Sequence, residues 1–336
     1  MSGALGSFVR SVLAPAAAAL ATLRYLVPSR IDGGERGPWA ALAILAERHP
    51  LLLGIALFLL FSATFARWRA EMPGAPRAFE GGRAVAWLAA ALAAALAARA
   101  SVVGVYRVVS PSMVPTLNAG DRLLVDKRAY GWRLPLSRHA FRARAPRRGD
   151  VIVFRGDPAR DGAGPASVVK RVVGVPGDFV AFRGGSPLIN GWFVPSCDAG
   201  PFISVSGRVM VRGRVAVEFL EDRAYLTVRT PLDEGVFAGY RVPPGEVFVL
   251  GDDRGMSSDS RAWNEGHGGG VATSTIEGRV ARLAVAAAPG GGIDLSHALT
   301  RLGVGLREPR IDVRDTEARI AKCLASPPAN TWPPRL

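Results

Sequence analysis

Two serines, Ser110 and Ser112, flank Pro111 in the stretch SPSMVPTL, which covers residues 110–117. Pro111 and Pro115 fix φ and are incompatible with a helix interior, so both hydroxyls lie on a stiff, extended or turning backbone. Such a backbone can present a serine as the nucleophile of an acyl transfer, although a serine between prolines is more often an ordinary loop residue. The chemistry therefore depends on whether the chain also supplies a base.

Histidine is a weak candidate for that base. The four histidines have no metal-ligand spacing such as HExxH, and the sequence contains neither a GxSxG elbow nor a phosphate loop ending in GK[ST]. His139 and His267 lie in segments rich in arginine or glycine, where a solvated histidine is the simpler interpretation, although a Ser-His-Asp triad stays open. These residues predict no metal site and no cofactor.

Lysine is the remaining candidate. Lys170 lies in the valine-rich segment SVVKRVVGV, where strand alternation places it on one face with Val168 and Val172. A lysine acts as a base only when neutral, which requires apolar surroundings that lower its pKa from about 10.4 towards about 7 to 8. Only three of the 42 basic residues are lysines, so a lysine among valines indicates a role that arginine cannot fill. A snorkelling lysine at a strand edge is the alternative.

The elements that must position these residues are mostly strands. From about residue 105 to 290, short runs rich in valine and phenylalanine alternate with turns that contain glycine, proline and aspartate. This pattern predicts a mainly β fold, an antiparallel β-barrel or folded sheet over residues 107–288. The tail, residues 289–336, is rich in glycine and proline; we expect one short helix in DTEARIAKCLA and a mobile end.

Two uncharged apolar segments, residues 51–66 and 84–98, precede the β region. Each is slightly shorter than the ~20 residues of a spanning helix, but flanking aromatic residues and arginines can complete the ends. We predict N-terminal transmembrane α-helices within residues 49–106; buried core helices are the alternative. The loop between them, residues 67–83, carries four arginines and two glutamates, so it should be cytoplasmic and the β region should lie outside.

Three features leave the interpretation open or carry little weight. Within the N-terminal segment, residues 1–48, the stretch 8–28 fits a spanning helix, an interfacial helix or a signal-like segment. The formal net charge of +14 rests almost wholly on arginine and matches a general compositional habit, so it predicts no nucleic-acid partner. Cys197 and Cys323 have no local pairing pattern; an oxidising exterior would permit a bridge, but their spacing does not argue for one.

Several motifs in order carry a resemblance to a known family. SPSMVPTL is followed by GDRLLVDKRAYG, RGDVIVF, VVKRVVGVPGD, VPPGEVFVLGD and GDDRGMSSDSR. Over residues 105–285 the chain resembles the bacterial type I signal peptidases, the membrane-bound Ser-Lys leader peptidases. The resemblance implies a signal-peptidase-like catalytic domain outside the membrane, with a smaller β insertion at about 183–245.

The resemblance also implies roles for individual residues. Ser112 matches the nucleophile and Lys170 the general base, while the Ser110 hydroxyl joins the Ser112 backbone N–H in the oxyanion hole. Ser257 matches the serine that orients the lysine amine. Structural support is implied for Asp259 and Arg261 as an ion pair and for Gly251 and Asp252 in the turn ahead of Ser257. Apolar pockets for small substrate side chains are implied at Val108, Met113, Leu117 and Val169.

The chain departs from the family pattern in the last motif and in its cysteines. The family usually has Gly-Asp-Asn where this chain has Gly251, Asp252 and Asp253, and often Asp-Asn at positions 255–256, which are Gly-Met here. Some relatives carry a disulfide within the β insertion. Only Cys197 falls in that region here, so that particular bridge cannot form.

The function implied is cleavage of signal peptides after Ala-x-Ala-like sites in exported preproteins, at the outer face of the cytoplasmic membrane. Membrane lipid is the expected surrounding, with functional proximity to the secretion translocon. A specialised relative that processes pilins or conjugation proteins and a catalytically silent membrane scaffold remain alternatives. A self-cleaving repressor would need a DNA-binding helix-turn-helix where this chain has apolar segments.

Overall fold

The computed structural model describes residues 102–133, 144–156, 166–230, 235–288, 293–302 and 315–334, and the backbone of two short strands at 29–30 and 140–141. The chain divides into two units, and the larger contains 105–131 and 142–336. The predicted membrane segments 51–66 and 84–98 and the stretch 8–28 lie outside the described residues. Within the described residues, no helix has the length and apolar character to span a membrane.

The described secondary structure is almost entirely β, as predicted. The strands are, in chain order, β1 (Ser29–Arg30), β2 (Val103–Arg107), β3 (Arg122–Asp126), β4 (Trp132–Arg133), β5 (Ala140–Phe141), β6 (Val151–Arg155), β7 (Ser167–Gly174), β8 (Phe179–Arg183), β9 (Ser186–Ile189), β10 (Trp192–Phe193), β11 (Ser196–Ser206), β12 (Val209–Leu220), β13 (Arg223–Arg229), β14 (Phe237–Arg241), β15 (Glu246–Leu250), β16 (Val271–Ala272), β17 (Ile276–Ala287) and β18 (Ile293–Asp294). A short 3-10 helix covers Thr273–Thr275, and one α-helix, α1, covers Thr316–Ala325.

The largest sheet of the larger unit has the strand order β2-β3-β17-β6-β7-β15-β16, with β18 added to β17. The pairs from β3 to β16 are antiparallel. Two smaller antiparallel sheets, β10-β9-β8-β14 and β11-β12-β13, lie between β7 and β15 in the sequence. The mainly antiparallel β prediction is therefore confirmed.

Strand β7 is buried on both faces, which explains its nearly continuous run of valines. Val169 packs in one core cluster, whereas Val168 and Val172 pack in another. The strand lies between β6 and β15 and is antiparallel to both. A lysine in the middle of this strand is thus surrounded by the core of the sheet and is not at its edge.

The described parts of the C-terminal tail pack in two places: β18 pairs with β17 of the largest sheet, and helix α1 packs on the β11-β12-β13 sheet. Helix α1 matches the predicted DTEARIAKCLA segment and contacts β11 and β12. Beyond the helix, the backbone N–H of Glu221 donates to the carbonyl of Thr331, and Asn190 donates to the carbonyl of Pro334. These long-range hydrogen bonds give the end of the tail defined contacts, while its mobility stays a prediction.

Candidate active site

The loop that follows β2 holds Ser112 in a buried turn. The N–H of Val114 donates to the carbonyl of Pro111, and the N–H of Leu117 donates to that of Met113. Prolines at 111 and 115 favour such a turn over a continuing strand. The carbonyl of Ser112 accepts from the N–H of Asp253, so this loop is also attached to the segment after β15.

The predicted nucleophile and base are in direct contact. Lys170 Nζ lies 2.7 Å from Ser112 Oγ, although 58 residues separate them in sequence. Lys170 is 4% exposed and Ser112 is 5% exposed. This distance permits direct proton transfer between the hydroxyl and a neutral amine.

The second serine of the motif completes a chain of three polar groups. Ser110 Oγ and Ser112 Oγ are 3.0 Å apart, and either hydroxyl can donate. Ser110 is partly exposed, in contrast to Ser112. The Ser110 hydroxyl therefore lies beside the predicted nucleophile, and its role in an oxyanion hole stays a prediction.

Ser257 lies beside the dyad but is not bonded as expected. Its hydroxyl is buried and forms no hydrogen bond among the described residues, although it lies near enough to the Asp259 carboxylate to help lower the pKa of that group. An added Cβ at Gly251 would lie 2.2 Å from Ser257 Oγ and 2.5 Å from the carbonyl oxygen of Ser112. Gly251 is thus required for close approach, while the lysine-orienting role of Ser257 stays a prediction.

Asp259 and Arg261 form a buried ion pair behind this turn. Arg261 Nε and Nη2 each donate to the carboxylate over 2.9 Å, and the N–H of Gly251 donates to it over 3.0 Å. Burial would raise the pKa of Asp259, but Arg261 and the Gly251 N–H more than offset it, so the pKa lies below its ordinary value. The pair anchors the backbone that carries Ser257.

A second buried pair, between Arg171 and Asp252, was not predicted from the sequence. Arg171 Nε and Nη2 donate to the two carboxylate oxygens over 2.7 and 2.6 Å. Thr116, in the nucleophile loop, donates to the same carboxylate, and the guanidinium lies 4.2 Å above the ring of Tyr225. Asp252 therefore links β7 to the loop of Ser112, a wider role than holding a turn.

A third buried network joins the β11-β12-β13 sheet to the same turn. Glu218 accepts from Arg254 over 2.6 Å and from Arg229 over 3.0 Å, and neither Glu218 nor the Arg254 side chain is exposed. Arg254 Nε also donates to the carbonyl of Gly251. The only sequence signal for this network was the presence of charged residues in otherwise apolar strands.

Comparison with known proteins identifies the family to which this arrangement belongs. The chain matches the family described as signal peptidase, peptidase S26, over residues 82–284, more than half of its length. The chain belongs to this signal peptidase family. All of the predicted site residues fall inside the matched range, whereas α1 falls outside it.

Curated relatives agree with this assignment. The chain is 36% identical over 176 residues to a signal peptidase I of Pseudomonas fluorescens, a match that covers 51% of this chain and 58% of that protein. It is 34% identical over 175 residues to a signal peptidase I of Bacillus caldolyticus, with 52% of this chain and 75% of that protein covered. The chain thus spans just over half the length of the Pseudomonas relative.

A crystal structure of a signal peptidase I from Enterococcus faecalis is 25% identical, and the match covers 41% of this chain and 97% of that chain with a TM-score of 0.23. Because this score is low, the match carries no argument about the fold, which is described above from the strands of this chain alone.

The four residues expected to line the signal peptidase pockets lie in one core cluster. Each is at most 2% exposed, and the same cluster contains β3 and β17 residues such as Leu123 and Leu283. All four are therefore part of the hydrophobic core. Their contact with a substrate stays a prediction for Val108, Met113, Leu117 and Val169.

No group of three or more histidine, cysteine, aspartate or glutamate side chains in the described part of the chain is arranged to hold a metal ion.

Proposed function

We propose that this chain is a signal peptidase I, a serine endopeptidase that removes signal peptides from exported preproteins after Ala-x-Ala-like sites. The observation that carries the proposal is the 2.7 Å contact between Lys170 Nζ and Ser112 Oγ in a buried setting. Family membership and the relatives named signal peptidase I support the same reaction class.

Acylation begins with attack of Ser112 Oγ on the scissile carbonyl while the neutral amine of Lys170 takes the hydroxyl proton. The developing oxyanion is stabilised by the N–H of Ser112 and the hydroxyl of Ser110. The lysine then donates its proton to the leaving amine, so that the mature protein departs with a free N-terminus and the signal peptide stays esterified to Ser112.

Deacylation uses the same two groups. Lys170 removes a proton from a water molecule, the resulting nucleophile attacks the ester, and the proton returns to Ser112 Oγ as the signal peptide leaves with a carboxyl end. No cofactor is needed, because Lys170 carries each proton: the one from Ser112 goes to the leaving amine, and one from water returns to Ser112.

The proposed location is the cytoplasmic membrane, with the catalytic domain on the outer side and more than one span in the N-terminal region. The uncharged segments 51–66 and 84–98 and the arginine-rich loop 67–83 support this topology. A signal peptide whose apolar core lies in the lipid presents its cleavage site at that surface, near the translocon that delivers it.

Topology is testable with intact spheroplasts. An external protease should digest the domain that follows residue 106 and spare the loop 67–83. Protection of the whole catalytic domain would place it on the wrong side for exported preproteins.

The activity is tested with the full chain in phospholipid, incubated with a preprotein that carries an Ala-x-Ala site. Mass spectrometry of the products should show one cut after that site, and Ser112→Ala should give none. Ser258→Ala is the matched control. Ser258 is exposed in the motif GDDRGMSSDSR, so this variant should cleave the preprotein at the wild-type rate.

A substrate panel separates the remaining alternatives. Cleavage of ordinary preproteins supports the general enzyme, whereas cleavage of pilin or conjugation precursors alone would identify a specialised relative. If the wild type cleaves none of these, the chain is a catalytically silent scaffold.

A further inference from the structure

The C-terminal helix is covalently attached to the small β11-β12-β13 sheet. Cys323 of α1 and Cys197 of β11 form a disulfide that spans 126 residues of sequence. Cys323 is buried, whereas Cys197 is partly exposed. The signal peptidase family match ends at residue 284, so this cross-linked helix lies outside the matched range.

Helix α1 packs on the sheet through one apolar cluster. Ile320 and Cys323 contribute the helix side of the cluster, and all three strands contribute the other side. The strand residues in this cluster are Ala199, Phe202, Val211, Val215, Val217, Phe219, Leu226 and Val228.

One further member of this cluster comes from the nucleophile loop. Val114 is fully buried in it, and Val114 is only two residues after Ser112. The surface that holds α1 is therefore continuous with the surface that holds the loop of the nucleophile. Because interiors are close-packed, loss of the helix side of the cluster is transmitted to Val114.

A hydrogen-bonded path runs parallel to the apolar one. Val228, in the same cluster, donates from its N–H to the carbonyl of Asp252 and accepts at its carbonyl from the N–H of Arg254. Between these two residues, the N–H of Asp253 donates to the carbonyl of Ser112. Strand β13 therefore holds the backbone segment that in turn holds Ser112.

We infer that α1 and its disulfide act as a brace that positions the Ser112 loop, so that reduction of Cys197–Cys323 slows cleavage. Ile320, Cys323 and Val114 are positioning residues in this account, since none of them contacts substrate. The inference rests on the proposed peptidase function.

Reduction requires a dithiol. Its two thiols supply two electrons and two protons, the Cys197–Cys323 bond breaks to give two thiols, and the dithiol becomes a disulfide. Cys197 is the more exposed of the two cysteines, so we expect the reducing thiolate to attack its sulfur. The brace thus restricts full activity to an oxidising compartment.

The experiment compares the full chain before and after treatment with dithiothreitol, at a temperature well below either melting point. Oxidised enzyme should cleave the Ala-x-Ala preprotein, and reduction should lower kcat roughly 10- to 100-fold, the scale expected for a small misplacement of a nucleophile, with KM changed less than about twofold. The variant Cys197→Ser with Cys323→Ser should show the slow rate and no response to dithiothreitol.

A matched pair of variants separates positioning from general stability. Ile320→Ala removes a buried isoleucine from the brace, and Ile189→Ala removes one from a separate cluster that does not include Val114. Both should lower the melting temperature, by roughly 5–15 °C, but only Ile320→Ala should lower kcat of the folded enzyme.

Equal kcat in folded oxidised and reduced enzyme would overturn the brace, as would equal kcat losses for the two isoleucine variants. If reduction unfolds the chain, the comparison of Ile320→Ala with Ile189→Ala decides whether the brace positions the Ser112 loop. Absence of cleavage by the oxidised wild type would instead refute the proposed function, and that outcome is separate from a failure of the brace.

Discussion

Two neighbouring basic residues of β7 have different hydrogen-bond partners. Lys170 and Arg171 are 4% and 5% exposed, so both are buried to the same degree. Lys170 Nζ contacts the hydroxyl of Ser112, whereas Arg171 forms a two-point ion pair with the carboxylate of Asp252. One strand therefore places a group that can exchange a proton beside one that holds a fixed charge.

The difference explains why this chain uses lysine here. Burial alone would lower the pKa of Arg171, but Asp252 more than offsets it, so the pKa lies above its ordinary value and the guanidinium stays charged. A lysine amine can lose its proton where a guanidinium cannot. Only three of the 42 basic residues are lysines, and one of them, Lys170, lies where the proposed chemistry moves a proton.

The largest expected loss of stability follows removal of the fixed charge. Arg171→Met leaves Asp252 buried without its guanidinium, and the free energy of unfolding should fall by about 3–5 kcal/mol. Urea unfolding measures it. Arg155→Met on β6 is the control, because that arginine is exposed and its distance to Glu277 is 3.9 Å, so it should change stability by less than about 1 kcal/mol. Similar losses for both variants would contradict the structural role of Arg171.

Catalysis beside Lys170 should depend on a single hydroxyl group, that of Ser110. Ser110→Ala removes a proposed oxyanion donor and should lower kcat about 10²–10³-fold with little change in KM. Steady-state cleavage of the preprotein measures both constants, and an unchanged unfolding free energy confirms that the loss is chemical. A Ser110→Ala enzyme with unaltered kcat would return Ser110 to the ordinary loop serines.

The buried network of Glu218 with Arg254 and Arg229 should lose stability in acid. Burial raises the pKa of Glu218, but Arg254 and Arg229 more than offset this, so the folded-state pKa lies below the ordinary 4.5. Its stabilising contribution is therefore complete above pH about 4.5 and is lost as the pH falls through the folded-state value. Urea unfolding from pH 6 to 3 should show the wild type approaching Glu218→Gln as the pH falls. A constant difference between the two would contradict this.

The contact between Ser112 and Lys170 was predictable from the sequence only when local signals were combined with the family resemblance. Prolines around Ser112 and valines around Lys170 are visible within eight residues of each site, and the ordered motifs added the pairing. The antiparallel β architecture was predictable from local signals, since alternation and turn residues are short-range features.

Long-range partners were not predictable. Arg171 joins Asp252 across 81 residues, and Cys197 joins Cys323 across 126. Nothing in either local sequence specifies the partner, because the two members of each pair are distant in sequence and meet only in the folded chain. The contacts of the glycine- and proline-rich tail were not predictable for the same reason: composition describes its backbone freedom but not the surface on which α1 packs.

The most direct test of the account replaces each of the two basic residues of β7 by the other type, in two separate variants. Cleavage of an Ala-x-Ala preprotein in phospholipid is measured for Lys170→Arg and Arg171→Lys, with circular dichroism to confirm folding. Arg171→Lys keeps a charge beside Asp252 and should retain cleavage with reduced stability, whereas a folded Lys170→Arg should have no activity, because a guanidinium cannot accept the Ser112 proton. A folded Lys170→Arg enzyme that cleaves at a near wild-type rate would contradict the Ser-Lys mechanism.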